Sequence, residues 1–232
     1  MLEKPARGLF ITGTDTEVGK SYVGILIVRA LVAAGHRVGV YKPTASDCIT
    51  DGHDSISEDS LALWQAAGQP LTLHDVCPQR FRAQMAPHLS ARAEGKKLDA
   101  NLLRTGISAW KDHCDIVIVE GAGGLMSPIS DDEYVADVAY DLGYPLIVVA
   151  PNVLGVINQT LQTLITASSF RDGLEIAGIV LNDSQCFHGD ASVDSNFEEI
   201  AKRAIPPVVG HVRYEADAFQ EEIDWFDLAG GG

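Results

Sequence analysis

The chain has 232 residues, 46% hydrophobic and 21% charged, the balance of an ordinary globular protein long enough to bury a large core. Its 32 acidic residues against 17 basic ones give a formal charge of −15. That argues against nonspecific nucleic-acid or anionic-membrane binding, since both need a basic face.

Strand-like and helix-like patterns alternate along the chain. "GLFITG" (8–13) is short, apolar and bounded by glycines, and it leads into 19–34, where Val23, Ile27, Ala30, Leu31 and Ala34 keep helical spacing up to Gly35. "RVGVYK" (37–42) reads as a second strand ended by Pro43, and the small, polar stretch 43–57 as a loop. Helical pieces are expected at 58–67, 88–94 and 99–112. "DIVIVE" (115–120) and "PLIVVA" (145–150) read as strands buried on both faces. A helix follows at 155–169 with Ile157, Leu161, Leu164 and Ile165 on one side, then a strand "IAGIVLN" (176–182), a helix at 194–204 and a short strand in "PPVVGHV" (206–212). The last residues, about 226–232, are expected to be flexible. Apolar strands separated by helices predict one α/β domain over 1–232, doubly wound, with a mostly parallel sheet and helices on both faces.

The four cysteines (Cys48, Cys77, Cys114, Cys186) are far apart, so neither a disulfide framework nor a zinc clip is expected. His74 and Cys77 lack a second pair to complete a metal site. The N-terminus carries no apolar signal region and no run approaches a membrane span, so a cytoplasmic location is expected.

In doubly wound folds ligands bind beyond the carboxyl ends of the strands, which selects 13–21, 42–47, 120–127, 150–155 and 182–184. The first of these, "GTDTEVGKS", is a glycine-bounded loop running into a helix, suited to phosphate. Lys20 supplies a point charge for the β/γ-phosphates and Ser21 a hydroxyl ligand for Mg²⁺. The loop has five residues, Thr14 to Val18, where the usual pattern has four. Glu120 closes a buried strand before "GAGG" and is a second metal-ligand candidate. Asp59 reads either as a third or as a helix-start carboxylate favouring the dipole. Lys42 ends the second strand beside the phosphate loop, facing a carboxylate or a substrate anion, and Ser46 follows in the same loop.

Together "TGTDTEVGKS", "YKPTAS", "VEGAGG", "LGVIN" and "GIVLND" resemble the dethiobiotin synthetase family in order and approximate spacing, over about residues 8–185. The five-residue loop is the form that family uses. The resemblance implies conversion of 7,8-diaminononanoate, CO2 and ATP into dethiobiotin, ADP and phosphate through a carbamate and its mixed anhydride with phosphate. It implies that Gly13, Thr14, Glu17, Val18, Gly19, Lys20, Ser21 and Tyr22 hold the phosphates, with Lys20 on the transferred group. Ser21, Asp59 and Glu120 become the Mg²⁺ set, and Gly121, Ala122 and Gly123 adjoin the nucleotide. Lys42 becomes the catalytic lysine, Thr16, Ser46 and Gly123 substrate contacts, and Asn182 and Asp183 the adenine contacts. Leu154, Gly155, Val156 and Asn158 are implied to bind the substrate carboxylate from a neighbouring subunit, through free N–H groups at a helix start, in a homodimer with shared sites. Three positions depart from the family pattern: Ser21 replaces the commoner threonine, Gln159 stands where histidine is expected, and Arg213 replaces a proline near the adenine side.

Two rival readings fit less well. Partitioning and cell-division ATPases share the fold but carry an extra lysine early in the loop, where this chain has Thr14, Asp15, Thr16 and Glu17, and their membrane-binding members end in a basic helix where this tail is acidic. An amidase-type ligase needs an added glutamine-hydrolysing domain.

Overall fold

Valine- and isoleucine-rich segments build the six-stranded parallel sheet at the centre of the computed structural model, which describes residues 2–51, 54–183 and 190–230. In chain order the strands are β1 (Gly8–Gly13), β2 (Val38–Tyr41), β3 (Ile116–Gly124), β4 (Leu146–Pro151), β5 (Ile176–Asn182) and β6 (Val208–Val212). Across the sheet they run β6-β5-β4-β1-β3-β2. The helices used below are α1 (Lys20–Ala33), α2 (Glu58–Ala66), α3 (Val135–Leu142), α4 (Val156–Ser169), α5 (Val193–Arg203) and α6 (Trp225–Leu228). The architecture is the expected doubly wound α/β class. Every residue of β1 is buried, as is β3 from Ile116 to Gly121, because helices cover both faces of the sheet. The strand order reverses at β1, whose neighbours β3 and β4 both come later in the chain, and the loops leaving β1 and β3 flank a crevice there.

Several elements differ from the sequence reading. β3 runs on through the glycines to Gly124, so Glu120 lies inside the strand opposite Ile11, ahead of a register shift that pairs Gly13 with Gly124. Glycines without side chains let the strand continue where a loop was expected. The expected loop 43–57 contains Thr44–Ala45 paired with Gln79–Arg80, and Ile49–Asp51 paired with Asp54–Ile56. The expected helix 99–112 is an α-turn at Leu102–Thr105 followed by a 3-10 helix at Gly106–Trp110. The Tyr41 hydroxyl donates to the carbonyls of Leu102 and Leu103, anchoring this segment to the end of β2. Helix α3 had no sequence expectation. Six of its eight residues are buried, Tyr140 and Asp141 being the two that are not.

On α4 the buried stripe is Val156, Thr160, Thr163, Leu164 and Ala167, and Ile165 is 65% exposed. The tail, expected to be flexible, packs against the rest of the chain as far as Gly230. Trp225 is buried, Arg7 Nη1 donates to the carbonyls of Phe226 (3.2 Å) and Gly230 (3.0 Å), and Phe226 stacks on His36 with ring centroids 4.1 Å apart. Residues 231–232, Cys186 and part of the 182–184 strand end lie outside the described residues. His74 is exposed and Cys77 buried, so the two do not share a face. Among the described residues no helix is long and apolar enough to cross a membrane.

Candidate active site

The phosphate loop is shaped by two glycines. A Cβ on Gly13 would lie 2.6 Å from Val18 Cγ2 and 2.8 Å from the Asp15 carbonyl, so the loop closes over this residue only because it has none. Gly19 has φ 92°, and a Cβ there would meet Asn182 Nδ2 at 2.1 Å. As N-cap of α1, Gly19 offers no side-chain bond, and the first turn carries no acidic residue. The helix start therefore keeps its N–H groups and its positive dipole end for an anion. Lys20 is buried and donates to the Asp15 carbonyl at 3.0 Å. Burial lowers its pKa and nearby Lys42 adds to this, while Glu120, Asp59 and Asp15 oppose it.

Lys42 is the hub of the charged groups. Its Nζ donates to Glu120 Oε1 at 2.5 Å and to Asp59 Oδ2 at 2.6 Å, and Ser21 Oγ donates to the same Glu120 oxygen at 2.8 Å. Burial disfavours the Lys42 charge, but the two carboxylates outweigh it and raise its pKa, so the ammonium persists. Burial likewise works against the Asp59 anion, and Lys42, Ser21 and Lys20 overcome it to lower its pKa. Asp59 matches the helix-start reading and makes an ion pair as well. It sits in the first turn of α2, whose N-cap Ser57 accepts from Ser60 N, and it reaches Lys42.

Glu120 is 1% exposed, and its second oxygen, Oε2, is buried with no hydrogen-bond partner among the described residues. A buried anionic oxygen left unpaired is costly, which points to a cation as its partner. Ser21, Asp59 and Glu120 give one hydroxyl and two carboxylates. Mg²⁺ is commonly held by one or two carboxylates together with substrate phosphates, so these residues fit it.

A cavity of about 670 Å³ opens over this cluster. Of the expected site residues, Thr16, Glu17, Gly19, Lys20, Ser21, Tyr22, Lys42, Ser46, Asp59 and Glu120 to Gly123 line it. Gly13 and Val18 support it from beneath, and Thr14 lines a neighbouring cavity of about 500 Å³. Sequence reasoning missed Gln84, Met85, Ala86, Pro87 and Pro128, which also line the cavity, and it selected the stretch 120–127 without singling out Ser127. Pro87 at the start of the helix Pro87–Ala93 was the available signal, since proline favours a first helical turn and marks the chain's entry there. Ser127 is fixed by the Gly124 N–H, which donates to its Oγ at 2.9 Å.

Two expected groups lie elsewhere. Asn182 and Asp183 do not line the cavity. Asn182 Nδ2 donates to the Val18 carbonyl at 3.0 Å, tying β5 to the phosphate loop. Asp183 Oδ1 accepts from Asn152 Nδ2 (2.7 Å) and is 2.8 Å from His211 Nε2, and Arg213 lies 3.6 Å from Oδ2. Leu154, Gly155, Val156 and Asn158 stand at the start of α4, also outside the cavity. The Leu154 N–H, expected to be free, donates to Asp190 Oδ2 at 3.1 Å.

A family model described as an AAA domain matches residues 7–222. An ATP-dependent dethiobiotin synthetase of Rhodopirellula baltica is 44% identical over 216 residues, covering 88% of this chain and 83% of that protein. One from Anaeromyxobacter dehalogenans is 42% identical over 196 residues, covering 84% and 85% respectively. Among solved structures, a ParA family ATPase from Chlorobium tepidum superposes with a TM-score of 0.55 at 16% identity, over 92% of this chain and 85% of that one. A likeness at that identity supports the P-loop α/β fold and nothing finer.

Proposed function

The chain belongs to the dethiobiotin synthetase family, and from that premise we propose that it makes dethiobiotin from 7,8-diaminononanoate, CO2 and ATP, releasing ADP and phosphate. The observation that carries this reading is the Lys42 ammonium held between Asp59 and Glu120 beside the phosphate loop, in a cavity of about 670 Å³ that Met85, Ala86, Pro87 and Pro128 also line.

One substrate amine attacks CO2, forming a C–N bond and losing a proton to give a carbamate. A carbamate oxygen then attacks the γ-phosphorus as the bond to ADP breaks. The second amine attacks the activated carbonyl carbon, phosphate leaves, and loss of a proton closes the cyclic urea. The difficulty is that an anion must approach an anionic phosphoryl group. Fixed cations placed before the reaction offset that repulsion without reorganising. Lys20 serves the transferred group from the loop, and Lys42 serves the carbamate from the end of β2. Ser21, Asp59 and Glu120 would hold Mg²⁺, which supplies further positive charge against the phosphate oxygens. Thr16, Ser46 and Gly123 orient the diamine.

The resemblance further supports a homodimer in which Leu154, Gly155, Val156 and Asn158 of one copy complete the site of the other. Their position outside this chain's own cavity and the 81% exposure of Leu154 are compatible with that reading. Incubation with diaminononanoate, bicarbonate, Mg²⁺ and ATP should yield dethiobiotin and ADP in equal amounts. ADP appearing at the same rate without the diamine would favour a nucleotide switch instead.

A further inference from the structure

The helix Pro87–Ala93 starts at the cavity and ends at Glu94, which does not line it. Only 6% of the Glu94 side chain is exposed, so its charge needs partners. The Arg82 N–H donates to Oε1 at 2.5 Å, Lys96 Nζ donates to Oε2 at 2.8 Å, and Arg82 Nε lies 3.7 Å from Oε2. Lys96 and the Arg82 N–H hold the Glu94 carboxyl below the usual carboxylate range, against the effect of burial. Arg82 opens the stretch that supplies Gln84, Met85, Ala86 and Pro87 to the cavity. From the same helix, Ser90 Oγ donates to the Ala83 carbonyl at 2.8 Å. Residues 79–83 also interlock with 44–48: the Phe81 N–H donates to the Ala45 carbonyl (2.9 Å) and the Cys48 N–H to the Phe81 carbonyl (3.0 Å). Ser46 lies within that ladder and lines the same cavity.

We propose that Glu94 is a positioning residue for the diamine: by holding the Arg82 N–H it fixes Gln84–Pro87 and, through the paired strands behind them, Ser46. The inference rests on the function proposed above, in which Ser46 orients the diamine. The bond that matters is the one to the main chain. The ion pairs reach the exposed side chains of Lys96 and Arg82 and contribute little, whereas the Arg82 N–H sets where the wall begins. None of these bonds involves the phosphate loop, Lys42, Asp59 or Glu120, so loosening them affects the diamine and spares ATP.

Two variants separate position from charge. Glu94→Gln keeps the length and an oxygen for the Arg82 N–H, while Glu94→Asp keeps the charge on a side chain one methylene shorter. In steady-state assays Glu94→Asp should raise the KM for diaminononanoate about three- to tenfold, with kcat and the KM for ATP within about twofold. Glu94→Gln should stay within about twofold of wild type in all three. Amide hydrogen exchange at residues 82–86 of the unliganded protein should quicken in Glu94→Asp and not in Glu94→Gln, while β1 and α1 stay protected in both. A KM for ATP that rises equally, a fall in kcat alone, or Glu94→Gln no better than Glu94→Asp would overturn the proposal. Wild-type protein that makes no dethiobiotin would overturn the functional reading and this inference with it, whatever the exchange shows.

Discussion

Two buried polar networks lie at the carboxyl edge of the same sheet. In the inner one, Lys42, Glu120, Asp59 and Ser21 converge on a cavity, and Glu120 Oε2 is left without a partner. In the outer one, Asn196 donates to Asn152 (2.9 Å), Asn152 donates to Asp183, and His211 meets the same Asp183 oxygen. The outer network closes on itself, and its interactions join α5, β4, β5 and β6. The inner network stays open towards the cavity. Burial and polarity are common to both, so neither property marks function. What separates them is a carboxylate oxygen with no partner among the described residues, in a cluster that lines a cavity.

Substitutions can break this contrast. The largest effect is expected for Lys42→Ala, which should lower dethiobiotin formation by about a thousandfold or more while ATP binding, measured by calorimetry, stays within a few-fold. Loss of ATP binding would mean that Lys42 holds the nucleotide and has no role in the chemistry. Asp59→Asn comes next. It keeps the side chain's shape but removes a ligand charge, and the Mg²⁺ concentration for half-maximal turnover should rise roughly tenfold or more. A chelator titration on both proteins checks this. In the outer network, Asn152→Ala removes a donor to Asp183 and the acceptor of Asn196, and should cost about 1–2 kcal/mol in urea unfolding with turnover within about twofold. A large fall in turnover there would erase the distinction between the networks. The smallest effect is expected for Ser57→Ala, which removes the cap of the helix carrying Asp59 and should cost about 1 kcal/mol of stability.

How much of this was legible depended on whether a feature is local. The sheet strands announced themselves as continuous β-branched runs, and the phosphate loop as a glycine-bounded turn between strand and helix, so Gly13 to Ser21 could be read as a phosphate loop with roles for Lys20 and Ser21, the other residues' roles coming by resemblance. The meeting of Lys42, Asp59 and Glu120 was legible in part, because strand ends in this fold share an edge. Its geometry was not, since the ion pairs join residues 17 and 78 positions apart. The continuation of β3 through "GAGG" was hidden because glycine usually signals a turn, and only pairing with β1 makes it strand. Gln84 to Ala86 were missed because nothing local in them marks a cavity wall, and Pro87 signals only a helix start. Asn182 was placed with the nucleotide by resemblance, and its side chain donates to the Val18 carbonyl in the loop that would hold that nucleotide.

The central claim is that the open inner network joins ATP cleavage to urea formation on a diamine. Supplying ¹³C-bicarbonate with diaminononanoate, Mg²⁺ and ATP, and measuring label in the product by mass spectrometry, tests it most directly. The account predicts one labelled carbonyl carbon in dethiobiotin for each ADP formed, and no labelled product from Lys42→Ala. Steady ADP release with no labelled dethiobiotin from the wild-type protein would contradict it.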